Sequence, residues 1–280
     1  MPLIPKETID LLRFIVSVPF FVYASYSDLK ERLISTWVWF FLGMFAVAFS
    51  IMQFPSIESI IALAPSVIIF YEWFFEWDHR WVSYVFYAIS AALFIYSLQF
   101  INSVYPLTVM FLMILIVRVL HKTKIIRGRA DARALMTVAI LQPLYPSFLG
   151  FPIFKPPYIH IVEITFPFMF LVLLYSAIAS LFYLLFILIR NIARGDRGFP
   201  EMFIGYRIPI EEVDKQHVWL MERVVNGEHV LYVHPRDHTP EDLEKLKEIG
   251  RNKVWVQPKI PFIVYITAGL IMAYLIGNFL

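Results

Sequence analysis

The 280-residue chain contains no cysteine. That absence excludes disulfides, thiolate metal sites and cysteine nucleophiles. Charge is scarce too. Only 16% of residues are Asp, Glu, Lys or Arg, against roughly 25% in typical soluble domains. The net charge is +2, so the charge balance gives no reason to expect nucleic acid as a partner. No internal repeat or low-complexity tract is evident. The first apolar stretch lacks a small-residue cleavage pattern, so it reads as a retained anchor and not as a removed signal peptide.

Apolar surface is what the chain has in excess. Hydrophobic residues make up 59%, where roughly 45–50% is usual, and mean hydropathy is +0.67. A soluble domain of this size cannot hide so much, so the excess must face lipid. A helix crosses the hydrocarbon core with roughly 20 apolar residues. Eight stretches fit: about 9–27, 36–54, 57–76, 81–100, 103–120, 131–149, 160–190 and 261–279. The seventh, about 31 residues long, has length to tilt or to extend beyond the bilayer.

Basic residues in short loops set the expected orientation. Loop 28–35 carries Lys30 and Arg32, loop 77–80 carries Arg80, and loop 121–130 carries Lys122, Lys124, Arg127 and Arg129. The alternate loops are nearly bare, with only Lys155 in 150–159. The basic loops are expected in the cytoplasm, with both termini outside. Residues 194–259 hold 11 Lys/Arg and 12 Asp/Glu, half of the chain's 46 charged residues. This reads as a folded insert on the cytoplasmic side. Within it, 229–234 and 254–256 read as strands. Thr239-Pro240-Glu241-Asp242 reads as a helix N-cap with proline at the first helical position, and Gly250 ends that helix. The expected fold is thus an all-α polytopic membrane protein of about eight transmembrane helices. Residues 1–190 form the helical domain, a small α+β cytoplasmic domain spans 191–259, and a last helix follows over 260–280.

Carboxylates at a membrane border are costly and invite a functional reading. Asp28 ends the first stretch, in Ser27-Asp28-Leu29-Lys30-Glu31-Arg32-Leu33-Ile34, and Asp131 begins the sixth, in Gly128-Arg129-Ala130-Asp131-Ala132-Arg133. By the alternation of loops both lie on the cytoplasmic border. Two carboxyls within a few ångströms resist ionising together, so the pair shares a proton and titrates as a unit. The ionised member can activate water while the other protonates a leaving amine, which is aspartic-protease chemistry. The residue types alone leave a plainer reading open: Asp28 as a helix-end residue and Asp131 as an N-cap.

Three segments together resemble the archaeal preflagellin and type IV prepilin peptidases, membrane aspartic proteases of the GxGD class. Asp28, Lys30, Arg32 and Ile34 match a D-x-K-x-R-x-I pattern. Gly128, Arg129, Ala130, Asp131 and Arg133 match a G-x-A-D form followed by a basic residue. Val254-Trp255-Val256-Gln257-Pro258-Lys259-Ile260-Pro261-Phe262 is similar to the end of the archaeal members' soluble domain. The resemblance implies Asp28 and Asp131 as the catalytic pair, with Gly128, Arg129, Ala130, Lys30, Arg32 and Arg133 supporting the motifs. It implies a multi-pass protein of the cell membrane with its active site at the cytoplasmic face. Its partners would be lipid and prepilin or preflagellin precursors, whose basic leader it removes, and no metal or cofactor is called for. Bacterial relatives often also methylate the new N-terminus and carry a cysteine-rich segment. None is present here, so peptidase activity without methylation is expected. Two features depart from the pattern: Ala130 replaces the glycine of bacterial members, and the 103-residue spacing between the aspartates leaves length for an extra helical hairpin within 57–100.

Lys30, Arg32, Arg129 and Arg133 are read either as tuning a neighbouring aspartate or as anchors to lipid phosphates, and Glu31 as an exposed ion-pair residue. Glu228, His229, His234, Asp237 and His238 cluster in the insert but fit no standard metal spacing. Glu72, Glu76, Asp78 and His79 read as an interfacial loop between two stretches, and Glu163 as facing water. Two other classes compete. A presenilin-like protease would show Tyr-Asp and Pro-Ala-Leu motifs, and neither is present. A transporter or a non-enzymatic pilus-assembly component would also be polytopic, but a transporter is expected to show repeat symmetry.

Overall fold

In the computed structural model, which describes residues 4–75, 80–126, 128–156, 158–225, 227–236 and 238–279, the apolar stretches fold as helices. The described residues are mostly helical (69%), with a small antiparallel sheet near the C-terminus. In chain order come α1 (Lys6–Glu31), α2 (Thr36–Gln53), α3 (Ile57–Glu72), α4 (Arg80–Ser97), α5 (Ile101–Lys122), α6 (Arg129–Leu141), α7 (Ile159–Thr165), α8 (Phe168–Arg194) and α9 (Glu201–Ile204). Then follow β1 (Tyr206–Pro209), β2 (Val218–Val225), β3 (Glu228–Arg236), α10 (Pro240–Glu248), β4 (Lys253–Pro258) and α11 (Phe262–Leu275). They form two compact units, Met1–Ala177 with Pro261–Leu280, and Ile178–Ile260.

Among the described residues, four helical stretches are long and apolar enough to cross a membrane by length and composition: Lys6–Glu31, Thr36–Gln53, Trp81–Lys122 and Phe168–Arg194. The third, at 42 residues, would reach about 63 Å if straight, roughly twice the hydrocarbon core. It is not straight. The Phe94 and Phe111 rings meet at 4.6 Å between centroids, and Arg118 hydrogen-bonds Tyr87. Both pairs are symmetric about the 3-10 turn Leu98–Phe100 and the first residues of α5, so α4 and α5 run antiparallel as a hairpin. The expected break near 101–102 is this reversal.

By length, then, four stretches qualify, one of them the α4–α5 hairpin that covers two of the eight expected spans. The remaining helices α3 (16 residues), α6 (13) and α11 (14) are shorter. Proline explains the two largest discrepancies. The segment 131–149 is helical only to Leu141, because Gln142 precedes Pro143 and a residue before proline leaves the helical region. The segment 160–190 is broken after Thr165 for the same reason, at Phe166-Pro167, into α7 and α8.

The first unit has two poles. At one, Arg133 near the start of α6 donates to Thr36 Oγ1 at the start of α2 (2.9 Å) and to the Trp73 carbonyl at the end of α3 (3.0 Å). The Trp73 ring meets His121 at the end of α5. At the other pole, Arg13 near the start of α1 donates to Gln53 Oε1 at the end of α2 (2.6 Å), and Gln142 after α6 donates to Asp10 (3.0 Å). Helices α1, α2, α3, α5 and α6 thus run between the poles, with α4 reversing on α5. Helix α11 runs antiparallel to α1: Ser25 hydrogen-bonds Thr267 (2.7 Å) while Phe14 stacks edge-on with Tyr274.

The second unit is built around the sheet β1-β4-β2-β3, antiparallel throughout. Ile208, Ile210, Val213, Val218, Leu220, Leu243, Leu246, Val254 and Val256 fill its core. Thr239 caps α10 in a reciprocal capping box with Asp242, behind Pro240, as the sequence predicts. Buried Glu222 accepts hydrogen bonds from the Trp255 N–H (2.8 Å) and His229 Nε2 (2.9 Å), binding the inner strands together.

Candidate functional site

Asp28 lies in the last turn of α1 and Asp131 in the first turn of α6, at the same pole of the first unit. Helix α1 ends because Arg32 takes a left-handed conformation (φ 56°), returning its N–H to the Asp28 carbonyl at 3.1 Å. Helix α6 starts at Gly128, whose carbonyl accepts from the Ala132 N–H at 3.1 Å. Asp131 belongs to a 13-residue helix outside the four stretches long enough to cross a membrane. Burial pushes its carboxyl up to about 6, and the charge of Asp28 adds to the rise. The charge of Asp28 therefore reaches the Asp131 carboxyl across the 103 residues that separate them in sequence.

Gly128 is explained by space. A Cβ built on it would stand 2.9 Å from Asp131 Cγ, inside the distance that non-bonded carbons tolerate, so the glycine leaves room for the carboxyl. Ala130 is different. It occupies an ordinary helical position in α6, so the glycine of the bacterial pattern supplies no conformational freedom that this backbone uses. The other motif residues separate by role. Arg32 is the basic residue whose charge acts on Asp28. Lys30 is exposed and lies over the Tyr26 ring at 5.8 Å. Arg129 is exposed at the first position of α6. Arg133, read from the sequence as either tuning an aspartate or anchoring to lipid, lies 4.8 Å over the Phe74 ring and ties α6 to α2 and α3.

A cavity of about 430 Å³ opens beside Asp131, lined by Leu120, Ile125, Ile126, Gly128, Asp131, Leu173 and Phe262. Two contacts shape the described part of its loop wall. Ile126 returns its N–H to the Leu120 carbonyl (3.0 Å), and its own carbonyl lies 2.9 Å from His121 Nδ1. Among the described lining residues, Asp131 is the one ionisable group.

The opposite pole holds a network that the sequence reading missed. Asp10, fully buried, accepts from Lys6 Nζ (2.9 Å), Arg13 Nη1 (3.3 Å), Gln142 Nε2 (3.0 Å) and the Ser147 N–H (3.0 Å). The available signal was an acid and a base three positions apart within an apolar run, with a glutamine ending each of two others. Glu163 belongs here also. Expected to face water, it is buried at 5% exposure, because Tyr105 donates to it at 2.8 Å and the Tyr145 N–H at 3.2 Å.

Of the remaining candidates, Glu72 pairs with Arg118 at 2.9 Å, while Glu76, Asp78 and His79 lie outside the described residues. His229 pairs with Glu222 and His238 with Asp214 (2.8 Å). Glu228 begins β3. Asp237 and the His234 side chain lie outside the described part. Among the described residues no three His, Asp or Glu side chains converge as metal ligands would.

Residues 199–279 match the family model described as Archaeal Peptidase A24 C-terminus Type II. The matched region covers the sheet, α10 and α11, and neither Asp28 nor Asp131 falls within it. The match supports the archaeal preflagellin peptidase family and a peptidase of the prepilin or preflagellin kind. With the apolar helices, it supports a multi-pass membrane protein. No curated protein matches the chain.

Proposed function

We propose that this chain is a membrane aspartic endopeptidase that cuts the basic leader from precursors of archaellin or type IV pilin class, with Asp28 and Asp131 as its catalytic pair. The observation that supports this reading is the convergence of two carboxyls, from the end of α1 and the start of α6, close enough that one charge perturbs the other.

With one proton shared by the pair, the ionised carboxyl draws a proton from water, which adds to the scissile carbonyl. The protonated partner donates to the departing amine as the C–N bond breaks. The first carboxyl then carries the water's proton, so the pair ends as it began, with one proton. Every proton movement is supplied by the two side chains and the water. Lys30, Arg32, Lys122, Lys124 and Arg129 all lie at the aspartate pole. Basic residues at helix ends favour the cytoplasmic side, so this pole faces the cytoplasm in the proposed orientation. A precursor would leave its apolar helix in the bilayer and bring its charged leader to the level of the two carboxyls. The cysteine-rich segment that methylating bacterial relatives carry has no counterpart in this sequence, so the reading is of cleavage alone.

Purified protein in detergent, mixed with a prepilin or preflagellin, should release the leader, and EDTA should not inhibit it. Asp28→Asn and Asp131→Asn should each reduce cleavage by at least about a thousandfold while leaving the helical circular dichroism intact. Near-normal activity in either variant would overturn the assignment.

A further inference from the structure

The end of α8 carries apolar surface and positive charge side by side. The 22 residues from Phe168 to Ile189 hold no charged side chain. As helix they extend about 33 Å, close to the hydrocarbon core of roughly 30 Å. Arg190 is the first charge after that run, and Arg194 closes the helix. Helix α8 therefore leaves the hydrocarbon within its last turns. Its exposed apolar residues do not stop there: Phe186, Ile189 and Ile192 are all more than half exposed.

The chain then turns back on the helix. Asn191, buried in α8, donates from Nδ2 to the carbonyls of Met202 (2.8 Å) and Gly205 (2.7 Å), within and just after α9. The Asp196 N–H donates to the Asn191 carbonyl at 3.0 Å. These bonds hold the corner between α8 and α9 at the level where α8 emerges. On that corner Phe199 is 84% exposed and Phe203 41%. Their rings meet edge-on at 5.9 Å, so they form one aromatic face. Arg194 and Arg197 are exposed nearby in sequence, whereas Asp196 is half-buried and Glu201 buried. Two large rings left in water forgo the gain of burial. Rings and arginines together suit the headgroup layer of a bilayer, where apolar side chains sink and cations meet phosphate.

We propose that this corner is an interfacial anchor: Phe199 and Phe203 enter the leaflet from which α8 emerges, and Arg194 and Arg197 bind the phosphates of anionic lipids there. Three observations favour lipid over a protein partner. The Asn191 bonds set the depth of the corner at the helix border, exposed apolar residues continue along α8 up to it, and its exposed charges are opposite in sign to anionic lipid. The anchor needs only the membrane span of α8 and is independent of the peptidase reading. It would hold the charged second unit to the membrane surface at a point beyond the helix itself.

The chain holds no cysteine, so one introduced cysteine takes a nitroxide label at a chosen site. Full-length protein is placed in nanodiscs of equal parts phosphatidylcholine and phosphatidylglycerol, with labels at Phe199→Cys, Phe203→Cys or Glu241→Cys. Glu241, exposed in the first turn of α10, is the water reference. Labels at 199 and 203 should relax more with lipid-soluble oxygen than with a water-soluble nickel chelate, and the label at 241 the reverse. Arg194→Gln and Arg197→Gln should each lower the ratio of immersed to free label at 199 about fivefold, the weight of one arginine at an anionic surface. In phosphatidylcholine alone, the parent should behave as the double variant does. All these substitutions fall at exposed positions, so the core is untouched. If nickel reaches the label at 199 as readily as that at 241, the anchor is wrong. A label at 199 shielded from both reagents would mark a protein contact and overturn it equally. Immersion that ignores lipid charge and both arginines would overturn the phosphate assignment.

Discussion

Gly128 and the carboxyl of Asp131 occupy adjoining space at the start of α6, where a Cβ on residue 128 would stand 2.9 Å from Asp131 Cγ. The atoms that must give way belong to the mobile end of the Asp131 side chain and not to backbone, so the fold can absorb a methyl group while the carboxyl cannot keep its position. Gly128→Ala is expected to retain its helical circular dichroism and to lose about 100-fold in kcat/KM, the scale of an ångström misplacement of a reacting group. Ala130→Gly, at a plain helical position, should stay within about threefold, since glycine there costs only about 1 kcal/mol of helix stability. Equal losses at both positions would remove the distinction.

Protonation gives a second expectation. The Asp131 carboxyl is raised from the ordinary 3.8 to about 6, first by burial and then by Asp28. A raised carboxyl destabilises the folded state above its folded value, and this cost vanishes below the unfolded one. Asp131→Asn should therefore unfold at a higher temperature than the parent at pH 7.5, and the difference should shrink as pH falls from 6 toward 4. In the parent, kcat/KM should decline above about pH 6 as the shared proton is lost. An advantage of the variant over the parent that is no larger at pH 7.5 than at pH 4 would contradict the burial argument.

The parts of the molecule written in local residue patterns were legible beforehand. The Thr239-Pro240 cap, strands β3 and β4, and the reversal between α4 and α5 follow from short-range chemistry. Helix ends before Pro143 and Pro167 were overrun because apolar composition continues across them, although the prolines carried the signal. Neither Glu163 nor Asp10 revealed its burial, since the partners that pay for it, Tyr105, Gln142 and Ser147, lie 58, 132 and 137 residues away. The space that Gly128 leaves for Asp131 is a matter of ångströms, which spacing in sequence does not encode.

Arg133 makes a third case. Its guanidinium donates to Thr36 Oγ1 and the Trp73 carbonyl and covers Phe74. It therefore fixes where the start of α6, and with it Asp131, stands against α2 and α3. Hydrogen bonds to a charged group contribute about 1.5–3 kcal/mol each, so Arg133→Ala should lower unfolding free energy by roughly that of one such bond or more. Lysine lacks the planar fork that reaches two acceptors, so Arg133→Lys should recover less than half of the loss. Thermal unfolding of the three proteins in one detergent decides it; an unchanged transition in Arg133→Ala would mean the bridge is incidental.

At the far pole, Asp10 and Arg13 are both fully buried, and the carboxylate is the charged partner of Arg13 and of Lys6. Removing one member of a buried pair strands the other, at about 3–5 kcal/mol, whereas replacing both with apolar groups of similar size is often close to neutral. Asp10→Ala should thus destabilise strongly, and Asp10→Leu combined with Arg13→Met should recover at least half of that loss. The non-additivity in a double-mutant cycle measures the pair directly. Because this network lies at the opposite pole from Asp28 and Asp131, kcat/KM at temperatures where the variants are folded should change by less than about threefold. A large loss of cleavage in a well-folded Asp10 variant would show that the two poles are coupled, and would require a mechanism that reaches along α1 or α6.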